Sequence, residues 1–149
     1  MNFRKTTFAS LVAIAVAASA IAASHSPIAA RQEAMKAIGG QMRTLGGMAQ
    51  GKIAYDDSVA ILALETMRDA ALIAQTSFPE GSNTGMENRA LSAIWAADSD
   101  FEARITQLVA SLEAAVDAAP ADMASFGPVF GAVAGNCKVC HEKYRAPES

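Results

Sequence analysis

Four stretches of this chain repeat apolar residues every three or four positions. No stretch alternates apolar and polar residues for long enough to make a convincing strand. The first runs from about Pro27 to Gly51 and places Met35, Ile38, Met42, Leu45 and Ala49 on one helix face, with Pro27 suited to the first turn and Gly51 to the end. The second, about Tyr55 to Ser77, opens with acids favoured by the helix dipole and carries Val59, Leu62, Thr66, Ala70 and Ile73, before "FPEGSNTG" breaks it. The third takes Asp98 or Ser99 as its N-cap, runs through Phe101, Ile105, Leu108, Leu112 and Val116, and stops before Pro120. The fourth begins near Ala121 and spaces Phe130, Val133, Cys137, Cys140, His141 and Tyr144 helically, with a late start or a kink expected at Pro128. Four amphipathic helices joined by mostly short connections predict an all-α fold, an antiparallel up-down four-helix bundle.

Glycines strain the first helix, because Gly39, Gly40, Gly46 and Gly47 each cost about 1 kcal/mol against alanine inside a helix. At roughly 100° per residue, Gly39 and Gly46 share the Met35 face. The missing side chains there would let a flat ligand or a neighbouring helix approach the backbone; the alternative is a looser helix.

Ahead of these segments, Arg4 and Lys5 precede an apolar run and then small residues, which reads as an export signal cleaved after Ala20, Ala22 or Ala23. Residues 1–23 are accordingly expected to be a signal peptide and 24–149 the folded domain. An uncleaved anchor is the alternative, since residues 6–30 carry no Asp, Glu, Lys or Arg. The apolar core between Phe8 and Ala23 is short, however, for a span of about 20 residues. Without the signal the chain has ten basic and fifteen acidic side chains, a formal charge of −5. Nucleic acid, which selects basic surfaces, is not an expected partner, and no membrane span is expected after cleavage.

Export makes the only two cysteines informative, because a close pair oxidises outside the cytosol unless something consumes the thiols. In "GNCKVCHEKYR", Cys137, Cys140 and His141 fall at i, i+3 and i+4, on one side of a helix. C-x-x-C-H after an export signal is the attachment sequence of haem c, in which two thiols add across the porphyrin vinyl groups and the imidazole reaches the iron. Zinc is a rival, but a structural site needs four ligands and the other histidine, His25, sits near the cleavage region. A thioredoxin-type dithiol is a second rival, although it belongs to a β-α-β context absent here. A plain Cys137–Cys140 disulfide is the third.

The signal, the four helices, "IW" at Ile94 and Trp95 before a helix opening at Phe101, and the near C-terminal "CKVCHEKYR" together resemble the class II c-type cytochromes. That family comprises cytochrome c prime and its low-spin relatives of the cytochrome c-556 type, and the likeness covers essentially the whole mature chain. It implies one covalent haem c per chain, His141 as proximal iron ligand, and a periplasmic location. It also implies that Met35, in "AMKAIGGQMRTLGGMAQG", stands at the position of the sixth ligand in the low-spin branch and of a noncoordinating residue in cytochrome c prime. A thioether is a good soft ligand for haem iron, although a methionine on an apolar stripe also serves as core filler. The likeness further puts Arg31, one turn before Met35, near a haem propionate, and Arg145 by the proximal face. Their plain alternatives are a solvated arginine at a helix start and a cation that complements a helix end.

The expected function is that of a periplasmic monohaem electron carrier with low-spin His141/Met35 iron, transforming no substrate and meeting periplasmic redox partner proteins in brief encounters. The alternative is a high-spin, five-coordinate cytochrome c prime that binds nitric oxide or carbon monoxide. A thiol oxidoreductase using Cys137 and Cys140 is the enzymatic rival. The sequence leaves open whether the first two helices also join two copies into a homodimer.

Overall fold

The computed structural model describes residues 26–147, so the expected signal peptide and His25 lie outside the described residues. Helix α1 spans Pro27–Ala49, α2 Asp57–Gln75, α3 Phe101–Ala118 and α4 Met123–Tyr144, with a short 3-10 turn at Ser92–Trp95. Each helix packs on the next in sequence and α1 meets α4, which closes the four-helix ring. None of the described helices is long and apolar enough to cross a membrane.

Local chemistry sets the helix ends. Pro27 opens α1, where a missing N–H costs nothing. Asp56 caps α2 by accepting the Val59 N–H at 3.0 Å. Helix α3 begins slightly later than expected, with Asp100 as its cap, yet Ser99 supplies the side-chain oxygen that accepts the Phe101 N–H at 3.3 Å. Asp122 and Ser125 form a reciprocal capping box on α4. That box starts the helix early enough to place Pro128 inside it, so the late start does not occur.

The α1 stripe faces the core as predicted at Ile38 and Leu45, with Met35 and Met42 half-buried; its last member, Ala49, is exposed. Helix α2 differs. Leu62, Ile73 and Val59 are 64%, 52% and 42% exposed, whereas Ala60, Ala63, Leu64, Met67, Ala70, Ala71 and Ala74 are buried. Ala70 is the one member of the predicted stripe that is buried, and the buried face lies roughly 100° round from that stripe. Helix α2 is apolar on two adjacent faces, and the alanine-rich one is buried because small side chains let α1 and α3 approach closely.

Of the two α1 glycines on the Met35 face, Gly46 meets a neighbouring helix, with the Phe130 ring 3.9 Å from where a Cβ would stand, while nothing lies within 4 Å of that point at Gly39. The close approach is at Gly47 instead. Ile53 folds back over it, and a Cβ there would come within 2.6 Å of Ile53 Cδ1.

Candidate cofactor site

A cavity of about 520 Å³ opens between α1, α3, α4 and the long connection from α2 to α3. Met35, Ile38, Phe101, Ile105 and Leu108 give it an apolar wall, and Cys137, Cys140 and His141 project from α4 on the other side. The i, i+3, i+4 spacing therefore does what a helix requires of it, and Met35, Arg31 and Arg145 line the same space. All six predicted site residues are thus brought together.

The α4 groups are poised for a bulky, covalently held ligand. Both cysteines are free thiols on one face of α4. Burial pushes both thiols up from their ordinary pKa. A redox dithiol needs the opposite shift, which counts against the oxidoreductase reading. Among the described residues no group of three or more His, Cys, Asp or Glu side chains could hold a metal ion, which removes the zinc reading there. Burial lowers the His141 pKa, helped by the positive charges of Arg145 and Arg89, and so favours the neutral imidazole that a metal can bind.

Arg31 is 3% exposed. Its Nη1 donates to Ser77 O at 3.2 Å and Ser82 Oγ at 3.0 Å, and its Nη2 to Ser82 O at 2.8 Å and Asn88 Oδ1 at 3.2 Å. The guanidinium also lies over the Phe78 and Trp95 rings, 4.8 and 5.8 Å from their centroids. All four acceptors are neutral, while an arginine keeps its charge, and burial is the influence that lowers its pKa. A buried cation without a carboxylate among its acceptors, on a cavity wall, fits a cofactor that carries carboxylates of its own. Arg104 lines the same cavity and is paired with Asp100 through Nη2, while its buried Nε has no acceptor among the described residues.

The connection from α2 to α3 carries the residues that sequence reasoning missed. Phe78, Asn88, Arg89 and Ala90 line the cavity, yet "FPEGSNTG", which holds Phe78, reads only as a helix breaker and the other three, beyond it, carry no sequence signal. Arg89 Nε and Nη2 both donate to Ala146 O, and an Ala90–Arg145 β-bridge ties this stretch to the end of α4. Trp95 and Tyr144 pack against Phe78 and Phe101, and each also makes hydrogen bonds. Trp95 Nε1 donates to Phe78 O and Pro79 O, and the Tyr144 hydroxyl accepts the Asp100 N–H and donates to the Asp100 carboxylate. The Asp100, Arg104 spacing of i, i+4 was the one visible sign of this network.

A family model described as Cytochrome C′ matches residues 26–145. The cytochrome c′ of Rhodopseudomonas palustris is 35% identical over 105 residues, covering 68% of this chain and 69% of that protein. Cytochrome c-554 of Cereibacter sphaeroides is 32% identical over 102 residues, covering 66% and 77%. The solved structure of the Rhodopseudomonas palustris cytochrome c′ superposes with a TM-score of 0.76 at 31% identity, covering 83% of this chain and 98% of that one. Thiols, imidazole, buried cation and bundle agree with these likenesses, and the chain belongs to the cytochrome c′ family of four-helix proteins that carry covalent haem c.

Proposed function

We propose that the protein is a periplasmic monohaem cytochrome with high-spin, five-coordinate iron that captures nitric oxide or carbon monoxide. Membership of the cytochrome c′ family supports this reading over the low-spin His141/Met35 electron carrier expected first from sequence. In it Cys137 and Cys140 would hold the porphyrin through thioether bonds, His141 would bind the iron, and Arg31 and Arg145 would offer cations to its carboxylates. When bound, haem c supplies a redox-active iron with one open coordination position.

The observation that carries the reading is the wall on the Met35 side. Met35 is half-buried beside Ile38, Phe101, Ile105 and Leu108, which offer no hydrogen-bond donor or charge from their side chains. A neutral diatomic gas crosses such a wall without losing strong hydration, whereas an anion would lose several kcal/mol or more of it. Met35 in this role shields the site and sets its size. Export through residues 1–23 puts the protein in the periplasm, where redox partners delivering an electron would meet it in brief, small-interface encounters. The exposed row of Val59, Leu62 and Ile73 supports self-association through α1 and α2.

The test is an optical spectrum of the mature, haem-loaded protein in both oxidation states, with and without carbon monoxide. A high-spin spectrum that shifts when carbon monoxide is added to the reduced protein is expected. A low-spin spectrum indifferent to the gas, becoming responsive in Met35→Ala, would return the protein to electron transfer with Met35 as ligand.

A further inference from the structure

The stretch between α2 and α3, residues 76–100, walls one end of the cavity with little regular structure to hold it. Its backbone turns at Gly81 and Gly85, with φ of +78° and +104° in the left-handed region, and its one helical turn is Ser92–Trp95. Arg31 is bonded to it at Ser77, Ser82 and Asn88, and stacks on Phe78 and Trp95 from the same stretch. Gln32, the next residue on α1, adds a bond from Nε2 to Glu87 O at 2.8 Å. Three separated points of an irregular segment thus converge on one planar cation a single turn from Met35.

We propose that Arg31 is a positioning residue that holds the 77–88 segment as a wall of the cavity and so limits how fast a diatomic gas enters. The role is separate from charge pairing with a haem carboxylate, and its gas-entry part rests on the five-coordinate reading above. Geometry distinguishes the two roles, because the fork of a guanidinium reaches four acceptors in fixed directions and an ammonium does not. Arg31→Lys keeps the charge and loses the fork.

Hydrogen exchange of the haem-loaded protein, read with carbon monoxide association after flash photolysis, tests this. In Arg31→Lys, amides in 77–90 are expected to exchange about tenfold faster, as loss of charged hydrogen bonds implies. Carbon monoxide association should rise several-fold in the same variant. Ser82→Ala, which removes one acceptor and leaves α1 intact, should shift both readouts the same way by less. Unchanged exchange in both variants, or faster exchange with unchanged association, overturns the proposal. If the wild-type iron proves six-coordinate, the five-coordinate reading fails on its own spectrum. The association measurement is then made in a Met35→Ala background, with the same criteria for Arg31.

Discussion

The two ends of this bundle are held by different physics. At the end where α1 turns into α2 and α3 into α4, Leu45, Leu64, Leu112 and Phe126 are fully buried, and Phe126 stacks with Phe130 and tilts against Tyr55. The connections there are short, and Tyr55 ties them together by donating to Pro120 O. At the cavity end, the buried residues include Arg31, Ser77 and Ser82, and the long connection is fastened by charged and polar groups. Asp100 is central to that fastening. It accepts from Arg104 Nη2 at 2.5 Å and Lys143 Nζ at 2.7 Å, and from the Tyr144 hydroxyl, so it joins the start of α3 to the end of α4. A dry end gives stability that neither salt nor pH changes much, whereas a polar end can be adjusted one bond at a time while the bundle stays folded.

Phe126→Ala should break the comparison at its dry end. Loss of about 3–5 kcal/mol in denaturant unfolding is expected, with the haem spectrum and carbon monoxide binding unchanged. A spectral change as large as the stability change would mean that the two ends are not separable.

Asp100→Asn should act on the other end by a smaller amount, and only in part of the pH range. Hydrogen bonds from Arg104, then Lys143 and Tyr144, hold the Asp100 carboxyl well below the usual carboxylate range in the folded protein. A depressed folded pKa stabilises fully above the unfolded pKa of about 4, and that stabilisation is lost as pH falls towards the folded value. The melting temperature of Asp100→Asn should therefore lie below wild type at neutral pH and converge with it on acidification below about pH 4. A gap that stays constant with pH would exclude the carboxylate as its source.

Leu62→Glu should change stability least, by within about 0.5 kcal/mol, because Leu62 is 64% exposed. Its effect is expected in sedimentation, where a shift from dimer to monomer would mark the second face of α2 as a contact between copies. A wild-type protein that sediments as a monomer removes that proposal.

What the sequence disclosed follows from how local each feature is. The helices were legible because a 3.6-residue period is written within each segment, and the Cys137, Cys140, His141 cluster because three residues of one helix turn need no other element to meet. The buried face of α2 was not legible, since Val59, Leu62 and Ile73 are as apolar as Ala60, Leu64 and Met67, and only the neighbouring helices decide between them. The acceptors of Arg31 were hidden for a different reason. They lie 46 to 57 residues away along the chain, in a segment with no periodicity to place it.

The small clasp between the α2–α3 connection and the end of α4 also ties the cavity wall to the bundle as a whole. Leu91 N–H donates to Tyr144 O and Ala146 N–H to Arg89 O, while Arg89 reaches Ala146 across 57 residues. Contacts so distant in sequence gain nothing until the intervening helices have paired, so the clasp depends on the bundle around it. The wall beside Cys137 and Cys140 is thus fastened by bonds that its own segment cannot make alone, so the enclosure of both thiols depends on the whole bundle being paired.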